Sequence, residues 1–141
     1  MTMPGGGTWN LAPGQITDDS ELAMCLMHGL IEGKGKLDAK AIVKNYALWY
    51  EEGPFDIGST TRNAMKYTNP NKPCAISMRG GAIAHNMKSL SNGSLMRATP
   101  MAVWCQNLAP SALMSAVTKD VQLVHSNPLM PEVVATYCAA I

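Results

Sequence analysis

A chain of 141 residues argues for one domain, or part of one. Only 15% of its residues are charged and 47% are hydrophobic, which excludes a disordered chain. Eleven Lys and Arg against ten Asp and Glu leave a formal charge of +1, without the basic excess of a protein that binds nucleic acid by neutralising phosphates.

Residues 1–16 read as irregular backbone, set by Pro4-Gly5-Gly6-Gly7 and Pro13-Gly14. A helix is expected to begin near Asp18, with Leu22, Leu26 and Leu30 in one apolar row and Ala23, Met27 and Ile31 in the next, closed by Gly33 and Gly35. Asp38 is placed to cap a second helix that turns Ile42, Tyr46, Trp49 and Tyr50 inward and stops at Gly53-Pro54. A third, short helix is expected over Thr60 to Tyr67, while Gly80-Gly81 leaves residues 74–90 ambiguous. Helix starts are expected at Thr99-Pro100, with the Thr99 hydroxyl as cap, and at Ala109-Pro110 and Met130-Pro131. Helical spacing continues through Leu113, Val117, Val121 and Val124, then Val134, Tyr137 or Cys138, and Ile141. No stretch alternates as a strand does, so the fold class is all-α, without internal repeats.

Charge is unevenly placed. Of the charged side chains, only Lys119, Asp120 and Glu132 fall within residues 98–141. Inner helices with a missing cover would have this composition, and self-association through residues 98–141 is the expected consequence. Residues 98–118 carry no charge at all, but Pro100, Gln106, Asn107, Pro110, Ser111 and Ser115 argue against a membrane span. No signal peptide is read at Met1 to Gln15. Cys25, Cys74, Cys105 and Cys138 form no Cys-x-x-Cys pair, so free thiols and a cytoplasmic location are expected.

Two segments carry the chemistry. In Thr17-Asp18-Asp19-Ser20-Glu21, Asp18 and Glu21 have the spacing of a capping box at a helix start. Asp18 also extends the Leu22 row and Asp19 the Ala23 row, which would turn both carboxylates toward the interior. Two carboxylates and a hydroxyl converging there would select a hard cation such as Mg²⁺. The second segment, Ser91-Asn92-Gly93-Ser94 leading to Arg97, is either a plain turn or a cradle in which backbone N–H groups and small hydroxyls approach a phosphate or sugar. Arg97 would then be a ligand contact or the internal partner of a buried carboxylate. His125 is expected to end a helix, where the dipole favours its protonated form.

Together these pieces resemble the ADP-ribosylglycohydrolase (ADP-ribosyl-acceptor hydrolase) family. The resemblance rests on the run Gly14 to Met24 with its Thr-Asp-Asp, on Phe55-Asp56-Ile57-Gly58-Ser59-Thr60-Thr61-Arg62, on the Ser91 to Pro100 loop, and on His125-Ser126-Asn127-Pro128, in that order. It implies an orthogonal all-α helical domain with a two-Mg²⁺ centre that holds the ribose of an ADP-ribosyl group. The metal ligands carried over are Thr17, Asp18 and Asp19, with Asp18 and Asp19 catalytic. The substrate-binding residues carried over are Ser91, Asn92, Gly93, Ser94 and His125. The implied reaction is cleavage of the glycosidic bond between ADP-ribose and its acceptor, on a modified protein or a small ADP-ribose derivative.

The departures from the family pattern are equally specific. Few residues precede Thr17, no Asp-x-Asp motif occurs, Ser91 stands where a glycine is usual, and Val124 replaces a threonine. The chain is therefore expected to be a partial domain, truncated at both ends, with half a metal centre at most. Three readings follow: a fragment of an active hydrolase, an inactive ADP-ribose-binding or structural member of the family, and a helical interaction module.

Overall fold

The computed structural model describes residues 3–141. Among these it contains seven α-helices and one 3₁₀ turn: α1 (Asp18–Glu32), α2 (Ala39–Glu51), α3 (Ser59–Met65), α4 (Ala75–His85), the turn Asn92–Ser94, α5 (Thr99–Cys105), α6 (Pro110–Val121) and α7 (Leu129–Ala140). Of the irregular segment expected over residues 1–16, Met1 and Thr2 lie outside the described residues. The rest is non-helical, with an antiparallel bridge between Gly6 and Leu11 and an edge-on contact of Trp9 with the Phe55 ring.

The leading apolar row of α1 goes where expected: Leu22, Leu26 and Leu30 are buried. The second row does not. Met27 and Ile31 are exposed, so α1 buries a single narrow stripe against α2 and α5. The two helices α1 and α2 pack closely because Gly29 has no side chain; a Cβ there would lie 2.7 Å from the Ile42 Cα. The Asp38 carboxylate caps α2 as expected, accepting from the N–H groups of Lys40 at 2.8 Å and Ala41 at 3.3 Å. Ile42, Tyr46 and Trp49 are buried and Tyr50 half-buried. The helix ends at Glu51, with Gly53 in the left-handed region at φ 73°.

The ambiguous stretch 74–90 is helical over Ala75–His85. Gly81 permits this by lying under the ring of Tyr67, where a Cβ would come within 2.4 Å of Cδ2, so α3 and α4 pack closely. In the last third, Pro110 starts α6 as expected. The start of α5 differs: Ala98 is the N-cap and Thr99 is already helical, its Oγ1 pairing with the Tyr137 hydroxyl at 2.8 Å. The last helix begins at Leu129, where the Asn127 side chain accepts from the Leu129 N–H at 3.1 Å, with Pro131 in its first turn.

Of the charges within residues 98–141, Asp120 is buried, leaving that region still poorer in exposed charge. Leu108, Leu113, Met114, Ala135, Cys138 and Ile141 are among the residues lining an apolar groove of about 500 Å³ between α5, α6 and α7. Exposed apolar side chains are not confined to this region, since Ile76 and Leu90 are also largely exposed. No helix of the described residues is long and apolar enough to cross a membrane. All four cysteines are free thiols.

Candidate functional site

Three segments far apart in sequence open into one cavity of about 140 Å³. Asp18 comes from the start of α1, Gly58 to Thr61 from the start of α3, and Ser91 to Gly93 from the 3₁₀ turn. A larger cleft of about 610 Å³ lies between α1 and α2; it touches Glu21, Met24 and Phe55 of the motifs but none of Asp18, Asp56 or the Ser91–Ser94 loop. The small cavity thus brings together one residue of the acidic helix start, the start of α3 and the loop, while Thr17, Asp19, Asp56 and His125 do not line it.

The N-cap of α1 is Thr17, not Asp18, and Thr17 makes no side-chain cap bond, so its hydroxyl is not used in capping. The expected capping box does not form. Glu21 instead accepts a 2.7 Å hydrogen bond from the indole Nε1 of Trp49 on α2. Asp18 is 9% exposed, and its carboxyl is pushed up to about 6 by burial first and then by the negative charges of Asp56 and Asp19. Asp19 does not turn inward as expected. It is exposed because its row on α1, running through Met27 and Ile31, faces solvent. Asp56, half-buried between α2 and α3, was not singled out by the sequence reading. The signal for it is its place in Phe55-Asp56-Ile57-Gly58, directly before the start of α3.

Among the described residues no group of three or more His, Cys, Asp or Glu side chains is close enough to enclose a metal ion. The donors nearest to such a role are the Thr17 hydroxyl, which is not used in capping, and the buried Asp18 carboxylate, which feels the charges of Asp56 and Asp19. They do not complete a coordination shell.

The loop from Ser91 to Ser94 is held from behind. His125 is fully buried, with Nδ1 2.7 Å from the Ser94 Oγ and Nε2 3.0 Å from the Ser91 Oγ. Burial, and then the positive charge of Arg97, push the imidazole down to about 4, so it is neutral near neutral pH. It lies beyond the end of α6, in the turn after Val121, so the protonated helix-end histidine expected from sequence is not what the fold builds. Ser91, Asn92 and Gly93 line the cavity, whereas Ser94 and His125 lie beneath it. A hydroxyl chain extends from the Ser91 Oγ to the Ser89 Oγ at 3.2 Å and on to the Thr60 Oγ1 at 2.8 Å. Asn86, also buried, donates to the carbonyls of Thr60 and Val124, both at 2.8 Å, and so fixes the histidine segment against the start of α3.

Arg97 is an internal partner, not a ligand contact. Fully buried, it donates from Nε to the Tyr46 hydroxyl at 2.8 Å and from Nη2 to the Asp120 Oδ2 at 3.0 Å. Its Nη1 donates to the Gly93 carbonyl. Tyr46 in turn donates to the Asp120 Oδ1 at 2.8 Å.

An all-helical domain whose acidic helix start faces a glycine-bearing loop across a small cavity is a candidate ligand-binding or hydrolytic domain. Comparison with known proteins is more specific. The sequence pattern of the ADP-ribosylglycohydrolase family matches residues 1–141. The chain belongs to the ADP-ribosylglycohydrolase family.

Among its relatives, a protein of Acanthamoeba polyphaga mimivirus named for ADP-ribosyl glycohydrolases is 35% identical over 138 residues, 94% of this chain and 40% of that protein. The ADP-ribosyl-[dinitrogen reductase] glycohydrolase of Rhodospirillum rubrum is 34% identical over 128 residues, 90% of this chain and 40% of that enzyme. A solved ADP-ribosylglycohydrolase-related protein superposes with a TM-score of 0.73 at 28% identity, over 97% of this chain and 42% of its own. The chain thus spans about 40% of the length of the curated relatives it matches.

Proposed function

We propose that this chain binds the ADP-ribosyl group at the cavity between Asp18 and the Ser91–Gly93 loop, as the substrate-holding part of a glycosidic-bond hydrolase. The observation that carries the reading is the meeting of the acidic helix start, the start of α3 and the loop at one cavity of about 140 Å³. That volume suits one sugar ring rather than a whole dinucleotide, whose remaining parts would extend over the surface. The Ser59 and Ser91 hydroxyls and the backbone of the turn are suited to a sugar diol or an adjacent phosphate.

In this reading Thr17, Asp18 and Asp19, joined by Asp56, would supply the ligands on one side of a Mg²⁺ ion, the remaining positions falling outside these residues. The chemistry such an ion would supply is Lewis-acid polarisation of the ribose hydroxyls and of a water. The other steps fall to the chain's own side chains. Asp18 and Asp19 are the proposed catalytic carboxylates. Ser91, Asn92 and Gly93 bind the sugar or phosphate, and Ser94 and His125 keep that loop in place. The acceptor is a modified protein or a small ADP-ribose derivative.

A second reading, binding without turnover, is favoured by one observation: the carboxylates of the described residues do not enclose a metal. Calorimetry of the chain with ADP-ribose, with and without Mg²⁺, tests the first. Binding that requires Mg²⁺ and disappears in Asp18→Asn and Asp19→Asn supports it; affinity indifferent to both refutes it. Release of ADP-ribose from an ADP-ribosylated arginine or serine peptide separates hydrolysis from binding alone.

A further inference from the structure

We infer that Arg97 is the positioning residue of the ligand loop, acting through the Gly93 carbonyl. The inference takes its ligand from the reading above, but its geometry stands independently. A guanidinium with no solvent exposure is costly, and a buried ion pair seldom repays that cost in stability alone. Two apolar side chains of similar volume would serve the core as well. What they would not supply is a rigid fork with donors aimed in three directions.

Each arm of this fork has a different partner. Nε is held by the Tyr46 hydroxyl of α2, Nη2 by the carboxylate and carbonyl of Asp120 on α6, and Nη1 reaches the Gly93 carbonyl. Two arms therefore anchor the cation to the helical core, and the third ties the loop to that anchor. Gly93 lies between Ser91 and Asn92, which face the cavity, and Ser94, which His125 holds from beneath. Its carbonyl is thus the point at which the turn is pulled toward the core, and its orientation sets that of the cavity-facing backbone. A lysine would keep the charge beside Asp120 but could not hold all three partners, because its ammonium has no fork.

The test compares Arg97→Lys with Asp120→Asn in the full chain by urea unfolding, hydrogen exchange and ADP-ribose calorimetry with Mg²⁺. The amides to follow are those of Leu95 and Met96, which close the turn by bonding to the Asn92 carbonyl. R97K is expected to keep more of the stability than D120N does. It should nevertheless speed exchange of these two amides at least about tenfold relative to the α1 amides of Leu26 and Leu30, and weaken ADP-ribose about tenfold. D120N is expected to show the reverse balance, losing stability more than affinity.

Unchanged Leu95 and Met96 exchange in R97K would overturn the inference, as would affinity and stability falling in step in both variants. If the unsubstituted chain binds no ADP-ribose, the functional reading fails, and the exchange measurement still decides the role of Arg97. Should R97K not fold, Tyr46→Phe releases the Nε arm without altering charge and should speed the same exchange; no change there would be equally fatal.

Discussion

His125 stands directly behind Ser94, its Nδ1 2.7 Å from the serine Oγ, and neither side chain has any solvent exposure. A neutral imidazole offers one donor and one acceptor, and here both ring nitrogens are engaged, Nε2 by Ser91. Replacing His125 by leucine keeps apolar bulk but strands the Ser94 hydroxyl in a dry site. The expected loss is about 1–3 kcal/mol of stability, the cost of one buried unpaired group. Urea unfolding of His125→Leu measures it, and a loss near zero would mean that the hydroxyl finds another partner.

The buried carboxyl and the buried imidazole give stability slopes of opposite sign over nearly the same pH range. Asp18 is raised from 3.8 to about 6, so the folded chain holds this proton more tightly than the unfolded one. Its charged form weakens the fold above pH 6, and the penalty fades as pH falls from 6 toward 4. His125 is lowered from 6.5 to about 4, so its contribution is present above pH 6.5 and is lost as pH falls toward 4. Without divalent cations the two contributions oppose each other in the unsubstituted chain. Asp18→Asn should therefore lose stability as pH falls from 6.5 to 4, and His125→Leu should gain it from 6 to 4, each by on the order of 2 kcal/mol. Parallel slopes in the two variants would show that one of these environments is misassigned.

The same carboxylate cluster predicts how the chain answers to a cation. Above pH 6 the Asp18 charge sits beside Asp56 and Asp19 without a compensating cation, and Mg²⁺ at millimolar concentration should raise the melting temperature. Binding must displace the Asp18 proton, so the rise should shrink markedly by pH 5. With an incomplete ligand shell the affinity should be weak. Thermal scans in Mg²⁺ against Asp18→Asn test this; an equal rise in the variant would place the cation elsewhere.

Much of this arrangement could be read from residue order, and the parts that could not share one physical reason. The Leu22, Leu26 and Leu30 row, the Asp38 cap and the Pro110 helix start depend on neighbours within a few residues, which spacing reports directly. The motifs that converge on the cavity were likewise visible as blocks. What spacing did not report was the choice of partner across helices. Glu21 bonds to Trp49, 28 residues away, instead of completing a capping box. Arg97 selects Asp120, 23 residues away, and Asp19 follows a helix face that the packing leaves in solvent. Each of these depends on how the helices cross, which no local pattern encodes.

The groove between α5, α6 and α7 bears on the charge-poor region. With Leu108, Met114 and Ile141 exposed and Asp120 withdrawn into the core, little on this face discourages contact with a second copy. The isolated chain is expected to sediment with increasing apparent mass as its concentration rises. Met114→Glu should suppress that trend without altering ADP-ribose affinity, since the groove is separate from the Asp18 cavity. A chain that stays monomeric throughout would show that this exposed apolar surface is too small or too discontinuous to associate.

Two glycines set the helix spacing, and they should respond differently to the same substitution. At Gly29 an alanine Cβ would lie 2.7 Å from the Ile42 Cα and 3.0 Å from its nitrogen, both backbone atoms of a packed helix. Relief requires α1 and α2 to move apart, which should cost about 1–3 kcal/mol even after the helix-propensity gain of alanine. At Gly81 the Cβ would meet the Tyr67 ring at 2.4 Å, and of backbone atoms only the Asn63 carbonyl oxygen at 3.1 Å, which a shift of a few tenths of an ångström relieves. Tyr67 is 47% exposed, however, and can swing aside at the expense of its stacking on His85 and the 2.9 Å bond to that ring. The propensity gain of up to about 1 kcal/mol offsets most of that loss, so Gly81→Ala should stay within about 0.5 kcal/mol of the unsubstituted chain. Urea unfolding of both variants decides the point: equal losses would mean that the α1–α2 contact yields as readily as an exposed tyrosine.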